Sequence, residues 1–188
     1  MAERSKFIVM MREEEMKAAV LRAEGESEAA RLVAEAISKY GPGLIAMRKI
    51  DMIVIHCTAT RADRPLSPAE LTKMHRKRGF KCCGYHYFVR TDGEICTMRP
   101  VERAGAHARG YNEHSIGIAY EGGLDAQGRP ADTRTELQKR SLRILVRVLK
   151  SDFPAITQVV GHRDLSPDLD GDGTVEPEEW TKACPCFD

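Results

Sequence analysis

Three side chains that lie far apart in the sequence most constrain how this chain can fold. His56 and His162 each follow an apolar, β-branched run, and Cys184 lies near the end of the chain, next to a proline. Two imidazoles and one thiolate are the donors of a zinc site that keeps its fourth position open. A structural zinc site needs four protein ligands, normally in closely spaced pairs. A fold that uses these donors together must therefore bring three distant segments to one point.

The hydrophobic pattern predicts a mixed α/β fold, with a central mixed β-sheet flanked by helices and the zinc site at one edge of the sheet. The pair Asp92-Gly93 joins two of the strand-like runs and is typical of a hairpin turn. Both histidines come where an apolar run ends, so their side chains can meet at one edge. The predicted strands cover 49–56, 84–90, 94–98, 115–120 and 156–160.

Two helices are predicted in the same region. Ser67, Pro68 and Glu70 mark the start of the first, because serine caps a helix, proline suits its first turn and glutamate completes a capping box. The second helix, at 135–151, is the longest of the domain. Its apolar residues are expected to face the sheet, namely Leu137, Ile144, Leu145, Val148 and Leu149.

The composition limits the classes of protein to which the chain can belong. Its 188 residues are 42% hydrophobic and 30% charged with a net charge of +1, so no general attraction to nucleic acid or anionic lipid is expected. No apolar run has the length of a transmembrane segment, and the charged N-terminus lacks the apolar core of a signal peptide. We therefore expect a chain that is cytoplasmic as synthesised, with its six cysteines reduced.

Residues 1–46 differ in character from the rest of the chain. Their apolar residues recur at spacings of about three, four and seven among charged residues and alanines, which predicts a long amphipathic or coiled-coil helix. The segments AEGESEAA at 23–30 and GLIAMRKI at 43–50 resemble the C-terminal coiled-coil region of prohibitins. The resemblance implies a fused segment that mediates self-association. The alternative is a solvated helix that packs on its own domain.

Six short segments of the second domain, 47–188, follow one another in a characteristic order. They are VIHCTAT at 54–60, GYHY at 84–87, GAHARGYN at 105–112, NEHSIGI at 112–118, GHRD at 161–164 and KACP at 182–185. In this order they resemble the type 2 N-acetylmuramoyl-L-alanine amidases, the zinc family of phage lysozyme-type amidases and peptidoglycan recognition proteins. The resemblance implies that His56, His162 and Cys184 bind zinc and that Tyr85 and Lys182 are catalytic.

The chemistry of amide hydrolysis agrees with these assignments. Lys182 can hold its ammonium over the oxyanion of a tetrahedral intermediate, and Tyr85 can orient the attacking water or relay its proton. The alternatives are a solvated surface lysine and a half-buried strand tyrosine. His107 and Asn112 lie in a loop rich in glycine and polar residues, and we expect them to contact substrate at the rim of the cleft. His86 follows Tyr85 on a strand and is expected to be structural, on the opposite face.

The span between His162 and Cys184 contains a second candidate metal site. Residues 168–179, DLDGDGTVEPEE, match the twelve positions of an EF-hand loop, although no helix precedes them. Calcium would stabilise this span. The alternative is an acidic turn that caps a helix starting at Pro177. The candidate calcium ligands are Asp168, Asp170, Asp172, Thr174 and Glu179.

The leading interpretation is a zinc amidohydrolase that cleaves the amide between the lactyl group of N-acetylmuramic acid and L-alanine, with peptidoglycan or a muropeptide as its partner. One alternative is a peptidoglycan-binding module without catalysis. Non-catalytic members typically lack the cysteine ligand, so the presence of Cys184 favours an enzyme. The other alternative is an assembly scaffold that acts through the N-terminal helix.

Overall fold

The computed structural model describes residues 48–188, so the helix predicted for 1–46 lies outside the described residues. A five-stranded mixed sheet in the order β4-β3-β5-β1-β7 forms the centre of the described domain. Only β4 runs antiparallel to its neighbour, and the other adjacent pairs are parallel. The predicted mixed α/β fold is thereby confirmed. The five strands are β1 Met52–Cys57, β3 Tyr87–Val89, β4 Ile95–Thr97, β5 Ser115–Tyr120 and β7 Gln158–Gly161.

Strands β1 and β5 form the buried middle of the sheet. Every residue of both strands is buried. A parallel strand that is covered on both faces has a continuous apolar sequence, because neither face meets water. The sequence of β1 has this pattern. His56 is the penultimate residue of β1, so an imidazole lies inside the sheet at its carboxyl end.

The remaining β-structure is short. Strands β3 and β4 form the predicted hairpin, and Gly93 in its turn has φ of +85°, a conformation that glycine adopts without strain. Strands β2, Thr60–Arg61, and β6, Gly123–Leu124, pair in a separate two-stranded sheet. Two 3₁₀ helices, Arg163–Leu165 and Pro177–Glu179, interrupt the chain between the sheet and the C-terminus.

Helix α1 spans Pro68–Lys77 and has the predicted start. The Ser67 side chain accepts a hydrogen bond from the Glu70 backbone amide, and the Glu70 side chain accepts one from the Ser67 amide. Leu71 is buried and packs with Phe88 of β3 in one hydrophobic cluster. The helix therefore covers one face of the sheet beside the segment that precedes β3.

Helix α2 spans Glu136–Asp152, but one of its apolar residues does not face the sheet. Leu137 is 53% exposed, so the expectation for this residue was wrong, while Leu145 and Leu149 are fully buried. Gln138 takes the inward position instead, and its Nε2 donates to Val89 O at 3.2 Å and Glu121 O at 2.9 Å. A buried amide is favourable here because the carbonyls satisfy it. Periodicity among apolar residues gives no sign of this exchange.

No helix within 48–188 is long and apolar enough to span a bilayer. The six cysteines all lie within the described residues and all are free thiols.

Candidate active site and metal centre

His56, His162 and Cys184 meet at the carboxyl ends of β1 and β7. One ligand atom from each lies within 4.8 Å of the other two. Cys184 Sγ is 3.8 Å from His56 Nδ1. A tetrahedral zinc ion with ordinary Zn–S and Zn–N bonds would separate a sulfur and a nitrogen ligand by about 3.6 Å. The three donors therefore fit a zinc ion with one position left for a non-protein ligand.

The pairing of two parallel strands brings the two histidines together. Ile55 lies opposite Gly161 in the register of β1 and β7, and the residue that follows each of them in the chain is a histidine. The His162 amide donates to Ile55 O at 3.1 Å, and the two rings lie 4.6 Å apart between centroids. Two distant positions in the sequence thus become neighbours because the register of two short strands places them side by side.

The C-terminal segment is fixed to the same end of the sheet by three contacts. The Arg163 amide donates to Cys184 O at 2.7 Å, and the Tyr120 hydroxyl donates to Pro185 O at 2.7 Å. Gly161 leaves room for Pro185, since a Cβ at Gly161 would come within 2.5 Å of the proline ring. The backbone of Cys184 and Pro185 is therefore held in place beside the sheet.

Cys57 forms hydrogen bonds with the sulfur of Cys184 and thereby lowers its pKa. Hydrogen bonding with the Cys57 side chain, and then with the Cys57 amide 3.1 Å from Sγ, lowers the pKa of the Cys184 thiol. A lowered pKa favours the thiolate, which is the form that binds metal. Hydrogen bonding with Cys184, and then burial, raises the pKa of Cys57 itself to about 12, although the Cys186 thiol 3.8 Å away acts in the opposite direction. Cys184 is thus distinguished from the two thiols beside it.

Both histidines of the cluster are held neutral. Burial, followed by His107, His162 and Lys182, places the pKa of His56 well below its ordinary value. Burial and then Lys182 lower the pKa of His162 in the same direction. A neutral imidazole offers a lone pair to a metal ion, so these shifts suit metal binding.

Tyr85 and Lys182 lie near the cluster and differ in burial, since Tyr85 is half-buried and Lys182 is exposed. The Tyr85 ring lies 5.0 Å from the His56 ring and 5.1 Å from the His75 ring. Burial raises the pKa of Tyr85, so its hydroxyl stays protonated and can donate a hydrogen bond at neutral pH. Lys182 is exposed, and its charge contributes to the lowered pKa of Cys184 as well as to those of both histidines. Their catalytic roles remain predictions.

His107 contacts the cluster through His56. Its Nδ1 is 3.1 Å from His56 Nε2, on the side of the His56 ring away from Cys184. Burial, followed by His86 and His162, lowers the pKa of His107 to about 2. Asn112 Oδ1 accepts from the His107 and Ala108 amides at 2.8 and 3.1 Å, so this side chain organises the loop. Contact of His107 and Asn112 with substrate stays a prediction.

The other histidines of the domain take part in local hydrogen bonds. His86 is fully buried, its Nδ1 accepts from the Gly117 amide at 2.9 Å, and its Nε2 lies 3.0 Å from Arg103 O. His75 Nδ1 accepts from the Gly84 amide at 2.7 Å. These contacts agree with the structural role expected for His86.

The sequence patterns do not identify two residues that hold the backbone around the site, Arg48 and Tyr120. Arg48 donates to the carbonyls of Asn112 at 2.8 Å and Ser115 at 2.9 Å, and it also binds Arg103 O at 3.0 Å. Tyr120 holds the peptide after Cys184 through its hydroxyl. No motif marks either residue, because each binds backbone atoms that are far away in sequence.

The acidic loop brings its carboxylates close together. Asp168, Asp170 and Glu179 have ligand oxygens within 4.8 Å of one another, and Asp170 and Asp172 form a second such group with Glu176. The same side chains also bind backbone amides: Asp168 accepts from Gly171 at 2.6 Å and Gly173 at 2.9 Å. Glu179 caps the 3₁₀ helix by accepting from the Glu176 amide, as the alternative without calcium expects. Calcium at 168–179 remains a prediction, with Thr174 as its fifth candidate ligand.

The fold and the His-His-Cys cluster define a class of α/β proteins with a candidate three-ligand metal site at the carboxyl end of a mixed sheet. Residues 46–185 match the family model described as N-acetylmuramoyl-L-alanine amidase. The chain therefore belongs to the N-acetylmuramoyl-L-alanine amidase family. The endolysin of Klebsiella phage KP32 is 32% identical over 141 residues, which are 75% of this chain and 83% of the endolysin.

Solved structures share the same architecture. The N-acetylmuramoyl-L-alanine amidase LysC from Clostridium intestinale superimposes with a TM-score of 0.57 at 29% identity, covering 73% of this chain and 77% of LysC. The bumblebee protein PGRP-SA superimposes with a TM-score of 0.56 over 73% of this chain and 75% of its own. At 20% identity, this second likeness shows the fold alone.

The prohibitin resemblance is limited to a short stretch. Prohibitin-3 of Arabidopsis thaliana is 60% identical over 50 residues, which are 27% of this chain and 18% of the prohibitin. This match supports the likeness of one segment. It carries no conclusion about assembly.

Proposed function

We propose that the chain is a zinc-dependent N-acetylmuramoyl-L-alanine amidase that hydrolyses the amide between the lactyl group of N-acetylmuramic acid and L-alanine in peptidoglycan. The family match and the endolysin relative support amidase activity. The observation that carries the zinc dependence is the convergence of His56, His162 and Cys184, whose donor atoms have the separation of a tetrahedral site. Bound zinc would polarise the amide carbonyl and lower the pKa of water toward ~7.

The chain's own residues would divide the rest of the reaction between them. The protonated Tyr85 hydroxyl, beside His56, is suited to donate a hydrogen bond that orients water or the scissile amide. The Lys182 ammonium would stabilise the negative charge that develops on the carbonyl oxygen. Tyr85 is half-buried, and partial exclusion of solvent strengthens a hydrogen bond that its hydroxyl donates.

The non-catalytic binding module is the weaker candidate. It needs only a groove that fits the muropeptide, and it does not need a low-pKa sulfur beside two neutral imidazoles. Cys184 has this property, and Cys57 maintains it through two hydrogen bonds. A binding module would gain nothing from that arrangement.

The N-terminal segment is proposed to act separately, as a self-association element. The support is its heptad-like pattern and the local match to prohibitin. Size-exclusion chromatography with light scattering would compare chains 1–188 and 47–188. A smaller oligomer for the shorter chain supports the proposal, and an unchanged monomer removes it.

The function is tested by measuring amino groups released from purified peptidoglycan. We expect new N-terminal alanine at a rate that falls to background with a zinc chelator and returns when zinc is added in excess. Mass spectrometry of the products should show intact glycan lacking stem peptides. Activity that is indifferent to chelation would contradict the zinc mechanism. Binding of peptidoglycan without new N-terminal alanine would favour the recognition module.

A further inference from the structure

We propose that His107 is a positioning residue for His56. By accepting a hydrogen bond from one nitrogen of the His56 ring, it directs the other nitrogen at the metal position. This inference rests on the proposed zinc dependence, and the role that it assigns to His107 is separate from contact with substrate.

The two nitrogens of the His56 ring face different partners. Its Nδ1 is the nitrogen near Cys184 Sγ, at 3.8 Å, and its Nε2 is 3.1 Å from His107 Nδ1. A neutral imidazole carries one proton, so a free lone pair on Nδ1 requires the proton to be on Nε2. His56 then donates through Nε2–H, and His107 accepts through Nδ1. In this tautomer His56 presents its Nδ1 lone pair on the side of Cys184, where a metal ion would bind.

The loop and the sheet hold the His107 ring in one place. Gly117 and Gly105 leave the space that the ring fills, since a Cβ at either would come within 2.5 or 2.3 Å of His107 ring atoms. Asn112 fixes the His107 backbone amide at 2.8 Å. Arg48 secures the same loop at Asn112 O and Ser115 O. A hydrogen-bond acceptor that cannot move fixes the orientation of its donor.

This arrangement has a cost at the other ring nitrogen of His107. His107 Nε2 is buried without a hydrogen-bond partner among the described residues. An apolar residue of similar size would fill the same space and avoid this cost. The presence of an imidazole at this position is therefore best explained by the hydrogen bond between its Nδ1 and His56.

The charge of the site favours an imidazole over a carboxylate as the partner of His56. Histidine ligands usually donate their second N–H to a carboxylate, a backbone carbonyl or water. A carboxylate here would add a negative charge to a site that already contains the Cys184 thiolate. A neutral imidazole orients His56 without this charge, so a bound cation would keep more of its power to polarise a carbonyl. This favours a site that must act on an amide.

The test uses substitutions that separate hydrogen bonding from packing. His107→Asn places an oxygen near the position of Nδ1 and can still accept from His56. His107→Leu has a similar size and cannot accept. His107→Gln places its polar atoms one bond further out, near the position of Nε2. His114→Leu is the control, because His114 is a half-exposed partner of Asp51.

Zinc affinity is measured on the full chain by competition with a chromophoric chelator, and the absorption spectrum of the cobalt-substituted protein reports ligand geometry. We expect His107→Leu and His107→Gln to bind zinc about 10–100-fold more weakly than wild type. His107→Asn should stay within about threefold, and His114→Leu should be unchanged. The cobalt spectrum should change in the Leu and Gln variants and not in the Asn variant.

The outcomes distinguish this inference from the proposed function. A wild-type chain that binds no zinc would overturn the proposed function itself. Wild-type zinc binding with equal affinity in His107→Leu would overturn only the positioning role. Equal losses in the Asn, Leu and Gln variants would also overturn it, because they would show a packing role. If His107→Leu fails to fold, the comparison of Asn with Gln decides the question.

Discussion

Replacing Lys182 by methionine should slow hydrolysis by about 100-fold while leaving the metal in place. The side chain is exposed, yet its charge contributes to the lowered pKa values of His56, His162 and Cys184, so its field reaches the cluster. Removing one donor to an oxyanion typically costs about 2.7–4 kcal/mol, which is roughly 10²–10³ in rate. Solvent screens an exposed ammonium, so we expect a loss near the lower limit.

The assay is release of alanine amino groups from peptidoglycan at several substrate concentrations. Because the interaction forms in the transition state, kcat should fall and KM should change little. Lys182→Arg should retain more activity than Lys182→Met, since the charge remains. Lys150→Met is the matched control, because Lys150 is an exposed lysine in the last turn of α2. A Lys182→Met enzyme within threefold of wild type, with full zinc content, would refute the assigned role.

Three further predictions concern stability. Glu121 is 2% exposed and accepts from the Leu66 amide at 2.6 Å and the Thr91 amide at 3.0 Å. Glu121→Ala should therefore lower the free energy of unfolding by about 2–4 kcal/mol in urea titrations, and a loss below about 1 kcal/mol would contradict this. Burial lowers the pKa of His86 to about 4, so the unfolded chain binds a proton that the folded chain does not between about pH 6.5 and 4. The free energy of unfolding should fall by on the order of 3 kcal/mol as the pH drops through that window, and it should fall less steeply with pH in His86→Asn. The same dependence on pH in both proteins would contradict this prediction. If the acidic loop binds calcium with a Kd of about 10⁻⁴ M, about 10 mM Ca²⁺ should add ~2.7 kcal/mol to wild type and much less to Asp168→Asn. An equal increase in the free energy of unfolding in both proteins, or no increase in wild type, would contradict calcium binding by this loop.

The sequence predicts that the two histidines of the cluster meet, because their positions follow from elementary rules. An apolar β-branched run ends at each histidine, and parallel strands present their carboxyl ends at one edge of a sheet. The register of β1 and β7 then places His56 beside His162. Cys184 was recognised by its donor type and by the family pattern, and no local pattern places its sulfur. The contacts from Arg163 and Tyr120 that do so involve backbone oxygens, which a sequence pattern does not reveal.

The contact between His107 and His56 could not be predicted for a related reason. It depends on the path of a loop that Arg48 and Asn112 hold, and on two glycines that leave space for a ring. The exposed Leu137 has a similar explanation. The inward position next to it suits Gln138, because two carbonyls at the end of the sheet can accept from a buried amide there. Periodicity records hydrophobicity, whereas these positions are decided by hydrogen-bond partners.

Zinc content measured by mass spectrometry on purified wild type, Cys184→Ser and Cys186→Ser tests the account most directly. Cys186 is the matched control, since it lies two residues from Cys184 and its thiol faces Cys57 rather than the histidines. We predict one zinc per chain in wild type and Cys186→Ser, and a loss of most of it in Cys184→Ser. Full zinc content in Cys184→Ser, or no zinc in wild type, would contradict the claim that these three side chains form the metal centre.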